Sequence, residues 1–175
     1  MFKEIDKKEL MVNSLTCFGD DWMALTAGTK ETGCNTMTVA WGHMGSLWSR
    51  SGQPGYLPTA VCYVRPQRYT KEFMDREPFF TLSAFSAEYK KALGYLGSHS
   101  GRDSDKIAEA GLTPVYSDGT AYFAEAEKVY ICRKLYHGAL SEDGFIDKAL
   151  VEHNYPERDF HEVYIGEIVK ILMKA

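Results

Sequence analysis

The 175 residues carry 20 Lys and Arg against 24 Asp and Glu, a formal net charge of −4, and 45% of them are hydrophobic. This is the balance of an ordinary globular domain, and it argues against nucleic acid or an anionic membrane as a general partner while leaving room for a local basic site for one phosphate. The four cysteines are widely spaced with no C-x-x-C, and the five histidines show no ligand spacing, so no metal site is expected.

The first nine residues, Met1 to Glu9, are charged and lack the apolar region of a secretory leader. No uncharged apolar run approaches the roughly 20 residues of a membrane span, so the expected location is the cytoplasm. One domain over 1–175 is expected. Trp22–Ala27 reads as a strand, Gly28–Gly33 as a turn and Asn35–Trp41 as the returning strand. The Gly-, Ser- and Pro-rich stretch Gly42–Pro58 reads as an extended loop. Thr59–Val64 is a third strand. Thr70–Glu77 is a short helix with Thr70 as candidate N-cap and Pro78 as its stop. Phe79–Phe85 is the next strand. Ala87–Leu96 has helical spacing of Tyr89, Ala92, Leu93 and Leu96. Ser104–Ala110 is a third short helix, with Asp103 as candidate cap and Gly111 as stop. Thr113–Tyr116 and Ala121–Glu125 flank Asp118-Gly119, a tight-hairpin signal. Val129–Tyr136 and His161–Leu172 complete the strands, the last one long or bulged around Gly166. The expectation is a mainly β, barrel-like fold with short helices. No G-x-G-x-x-G lies between a strand and a helix, which argues against a doubly wound nucleotide fold.

Arg65-Pro66-Gln67-Arg68-Tyr69-Thr70 sits between a strand and a helix start. Helix N-termini favour anions, and guanidinium forks match phosphate oxygens, so this segment is a candidate phosphate site or an ordinary capped loop. Asn35 to Trp41 alternates small polar and larger apolar residues, which suits a half-buried strand or the edge of a planar ligand. Ser83 lies in an apolar run and needs a partner if buried. Gly97 to Lys106 is polar and Gly-rich, either a flap or a plain connection. His161 opens the last strand.

Taken in order, N-T-M-T-x-x-W at Asn35–Trp41, R-P-x-R-Y-T at Arg65–Thr70, F-T-L-S at Phe80–Ser83, G-x-x-S-G-R-D-x-D-K at Gly97–Lys106 and H-x-x-Y-I-G-E-I at His161–Ile168 resemble the flavin reductase-like FMN-binding family, its flavoredoxin-type branch in particular. The resemblance implies an FMN-binding split β-barrel that dimerises, with FMN near the subunit interface. It implies cofactor-binding roles for Asn35, Thr36, Met37, Thr38, Ala40 and Trp41 along the flavin. Arg68, Tyr69 and Thr70, with Arg65, would hold the phosphate, and Leu82 and Ser83 would lie near the ring. The loop Ser100-Gly101-Arg102 would close over the flavin, and His161 would face the nicotinamide of NADH or NADPH. Electrons would pass through FMN to a small-molecule or protein acceptor. The alternatives are an electron carrier that does not oxidise NAD(P)H itself, and a cofactor-free β-barrel interaction module. The stretch 42–58 departs from the family pattern by its length.

Overall fold

A computed structural model describes residues 1–175. Its strands are β1 (Phe2–Glu4), β2 (Met23–Thr29), β3 (Gly33–Val39), β4 (Gly42–Leu47), β5 (Leu57–Val64), β6 (Phe79–Ala84), β7 (Pro114–Ser117), β8 (Thr120–Phe123), β9 (Lys128–Ala139) and β10 (Glu162–Lys174). The helices are α1 (Tyr69–Arg76), α2 (Lys90–Ser98), α3 (Lys106–Glu109) and α4 (Lys148–Asn154). No helix is long and apolar enough to cross a membrane.

One antiparallel sheet runs β3-β2-β6-β9-β10-β5-β4. β10 is long enough to pair β5 over Glu162–Glu167 and β1 over Leu172–Lys174 along one edge. Side chains two residues apart on neighbouring strands meet in one interior: Leu25 and Ala27, Met37 and Val39, Cys62 and Val64, Phe80 and Leu82, Tyr130 and Cys132. Phe73 and Met74 of α1 join the same cluster. The two ends of the curled sheet are joined by a corner of the chain. β3 stops at Val39, Ala40 and Trp41 turn, and β4 starts at Gly42 as the partner of β5. The Tyr63 N–H donates to the Trp41 carbonyl at 3.3 Å across that corner.

On the outer face, α2, α3 and β8 bury Leu93, Leu96, Ile107 and Phe123 around Ala24. The β9–β10 ladder shifts register between Ile165 and Gly166, the bulge expected at that glycine. A Cβ at Gly166 would lie 2.6 Å from the Phe80 ring, so a larger residue cannot follow the same path.

Several sequence expectations need correction. The stretch 42–58 is not all loop: its first six residues form β4 and leave only Trp48–Tyr56 as the turn. Gly42, Gly45 and Ser46 have weak strand preference, and the open edge of β5 decides the pairing. Ala40 and Trp41 lie beyond β3. Thr70 is not the cap of α1; Arg68 holds that position with no side-chain capping bond, and Thr70 is buried in the first turn. Asp105 rather than Asp103 caps α3, accepting the Ala108 N–H at 3.1 Å. α4 was not foreseen, because its seven residues bury only Val151 and show no apolar period.

Candidate functional site

β3, the start of α1 and the loop after α2 converge at one edge of the barrel. Asn35 on β3 is buried, and its Nδ2 donates to Thr70 Oγ1 at 2.8 Å. That bond fixes the hydroxyl of Thr70 against the strand. Arg68 Nη1 donates to the Gly97 carbonyl at 3.2 Å, joining the helix start to the end of α2. Gly101 packs onto both elements; a Cβ there would lie 2.2 Å from Asn35 Oδ1 and 3.3 Å from the Tyr69 ring. Only the absence of a side chain allows this approach.

Lys106 enters the same space from the first turn of α3. It is 4% exposed, and its ammonium donates to the Leu96 carbonyl at 3.0 Å and the His99 carbonyl at 2.9 Å. Burial, then the nearby Arg68 charge, lowers its pKa to about 8. Met37, Arg68, Tyr69, Thr70, Ser100 and Lys106 are among the residues lining a cavity of about 130 Å³. Neither Arg68 nor Lys106 forms a salt bridge with a carboxylate, whereas Arg102 does, with Glu72 at 2.5 Å. Two cations without acidic partners, beside a hydroxyl and a helix start, make a receptor for an anion.

A second cavity, of about 220 Å³, continues along β3 and shares Met37 and Arg68 with the first. Thr38, Ala40, Trp41, Tyr63, Arg65 and His161 also line it. Trp41 is 44% exposed, and its ring lies 4.6 Å from that of His161. His161 is buried, with Nδ1 hydrogen-bonded to the Tyr155 hydroxyl at 2.8 Å. Burial, with Arg65 and Arg68 nearby, lowers its pKa to about 4, so the imidazole is neutral at pH 7. Arg65 is committed elsewhere: it pairs with Asp159 Oδ1 at 2.5 Å, donates to the Asn154 carbonyl at 2.7 Å and lies over the Tyr155 ring. It braces the entry to β10.

The structure thus gathers Met37, Thr38, Ala40, Trp41, Arg65, Arg68, Tyr69, Thr70, Ser100 and His161 around the two adjoining cavities, with Asn35 and Gly101 on a neighbouring cleft. Arg102 stacks on Tyr69 at 4.6 Å and borders the neighbouring cleft. Thr36 points elsewhere: its hydroxyl donates to the Leu25 carbonyl and accepts from Thr26 inside the fold. Leu82 and Ser83 are fully buried in β6 and line neither cavity. The Ser83 hydroxyl has no partner. Lys106 and Tyr155 were missed as site residues. Lys106 stood at the end of a quoted motif, but only the fold brings it to the first cavity; nothing around Tyr155 in the sequence points to His161.

On the opposite side of α1, Asp75, His137 and Glu162 bring potential metal-ligand atoms within 4.8 Å of one another. The Lys71 ammonium already bridges the two carboxylates, at 2.6 Å from Asp75 and 3.1 Å from Glu162. It supplies there the positive charge that a metal would bring.

An eight-stranded antiparallel sheet closed through a chain corner, with the separate β7–β8 hairpin outside it and a helix start and a glycine loop against its edge, is the split β-barrel of FMN-binding proteins. No protein-family profile matches the sequence, and no curated relative matches it. Among solved structures the chain is similar to the flavoredoxin of Desulfovibrio vulgaris (Miyazaki F), with a TM-score of 0.63 and 22% identity over 87% of this chain and 69% of that one. It is also similar to an FMN-binding domain of a flavin reductases-like enzyme from Shewanella baltica OS155, with a TM-score of 0.65 and 12% identity over 99% of this chain and 77% of that one. The NADH:FAD oxidoreductase of Streptomyces globisporus C-1027 matches with a TM-score of 0.62 and 18% identity over 90% and 84% of the two chains. At these identities the likeness is one of fold.

Proposed function

We propose that the chain is an FMN-binding oxidoreductase that oxidises NADH or NADPH and passes the electrons to a second acceptor. The observation that carries this reading is the pair Arg68 and Lys106, two cations without carboxylate partners in one small cavity at the end of a strand-lined trough. The residues present fit a flavin with a phosphate tail. Arg68, Lys106 and Thr70 would hold the phosphate, and the end of β3 with the following corner, Met37 through Trp41, would border the flat ring system. Bound FMN supplies reversible two-electron chemistry. The chain contributes binding, orientation and electrostatics. The neutral His161 offers a hydrogen bond without placing a charge beside the site.

The flavin reductases-like and NADH:FAD oxidoreductase neighbours support this reading. The flavoredoxin neighbour supports a second one, an electron carrier reduced by a partner protein. A homodimer with the site near its interface belongs to the proposal; exposed Trp48 and Tyr56 in the β4–β5 turn offer apolar surface for a second copy. The test is an absorption spectrum of the purified protein with added FMN, then anaerobic NADH or NADPH. Bleaching of bound flavin supports the reductase. Bound flavin that stays yellow supports the carrier. Failure to take up FMN ends both.

A further inference from the structure

An apolar cavity of about 530 Å³ adjoins the trough and shares Ala40, Trp41 and Tyr63 with it. Phe18 and Tyr155, each 2% exposed, form its buried side. Phe18 lies so close to the chain corner that a Cβ at Gly42 would come within 2.4 Å of its ring. Trp41 and Phe145 meet Tyr155 edge to face, at 6.5 Å and 5.8 Å between ring centres. Leu15 and Leu150, 91% and 50% exposed, form the rim.

No charged side chain lines this cavity. A phosphate-bearing flavin or a carboxylate iron chelate would lose hydration there without gaining a counter-charge. A neutral ring would meet aromatic edges and faces on several sides, in a volume typical of small-molecule sites. Tyr155 also connects the cavity to His161 through its hydroxyl.

We infer that this cavity binds the electron acceptor, and that the acceptor is a neutral, planar aromatic molecule of one or two rings, of the quinone class. The inference deepens the oxidoreductase reading and rests on it for the word acceptor. A quinone taking a hydride equivalent from NAD(P)H and one proton from water becomes the hydroquinone, leaving NAD(P)⁺.

The test is calorimetric titration of the purified protein with menadione and with its charged counterpart 1,4-naphthoquinone-2-sulfonate, followed by anaerobic turnover with NAD(P)H. Menadione should bind at least about tenfold tighter than the sulfonate, and Leu150→Glu should weaken menadione by about tenfold or more. Leu15→Glu, at a side chain already in solvent, should act in the same direction and answers the case in which Leu150→Glu fails to fold. Equal binding of the two quinones, binding unaffected by both rim variants, or no binding overturns the inference. So does a wild-type dimer that Leu150→Glu dissociates while no menadione binds, which assigns the cavity to a second copy. Menadione binding by a protein that takes up no FMN supports the cavity as a site and overturns only the flavin reading.

Discussion

The Tyr155 hydroxyl lies 2.8 Å from His161 Nδ1, so one residue holds the imidazole from behind while its ring closes the apolar cavity beside the trough. The same phenol ring carries the Arg65 guanidinium at 5.0 Å, and Arg65 is anchored to Asp159. Positive charge and burial together keep His161 neutral, and its geometry is set by residues that sequence inspection does not connect.

That arrangement predicts an acid-sensitive native state. The unfolded chain takes up the histidine proton near 6.5, whereas the folded chain does so only at about 4. Between these values the unfolded state binds more protons, so stability falls as pH falls, by up to about 1.4 kcal/mol per pH unit from this group. Above 6.5 the group contributes no slope. Denaturant unfolding of wild type and His161→Gln at pH 7.5, 6 and 5 should show a smaller loss in the variant. Equal slopes would contradict the assignment.

Lys106 should discriminate FMN from riboflavin. Charge-assisted hydrogen bonds are worth about 1.5–3 kcal/mol, so Lys106→Met should weaken FMN roughly tenfold or more. Riboflavin, lacking the phosphate, should be unaffected. In the free wild-type protein the ammonium loses its proton at about 8, so FMN affinity should decline as pH rises past that value. Fluorescence titrations of both ligands at pH 7 and 9 check this; parallel losses for riboflavin would remove the phosphate role.

Gly101→Ala should damage fold and site together. The new methyl would stand 2.2 Å from Asn35 Oδ1, and Asn35 in turn positions Thr70. Overpacking of this kind costs about 1–3 kcal/mol. A lowered unfolding midpoint accompanied by weaker FMN binding is expected, and a variant with wild-type values of both would show the loop to be pliable.

Thr36→Val should separate folding from binding. The Thr36 hydroxyl is fully buried and accepts from Thr26 at 2.9 Å, so the variant leaves a buried donor without its partner. The cost is about 1–3 kcal/mol of stability. FMN affinity should stay at the wild-type value, because this side chain does not line the trough. Loss of affinity at unchanged stability would restore Thr36 as a ligand.

Most of the barrel was legible from residue order. The apolar runs Trp22–Ala27, Phe79–Phe85 and Val129–Tyr136, the Asp118-Gly119 turn and the irregularity at Gly166 each reflect local composition or backbone preference. β4 and α4 were not legible, since neither carries a strong period and each forms because a neighbouring edge or surface receives it. For the candidate site, local chemistry marked Arg65 to Thr70 and Asn35 to Trp41 as candidates beside ordinary structural readings, and the resemblance singled out Arg68 and Thr70.

What the tertiary structure alone decided is which charged groups are left without a carboxylate counter-charge. Arg65 and Arg68 are three residues apart and look alike in the chain; folding pairs Arg65 with Asp159 and leaves Arg68 beside Lys106, 38 positions away in the sequence. Leu82 and Ser83 looked equally suited to a ligand, and packing buried both away from the trough. Composition and spacing determine which groups a chain possesses. Long-range packing determines which of them remain free for chemistry, because burial and pairing depend on neighbours brought from distant parts of the chain.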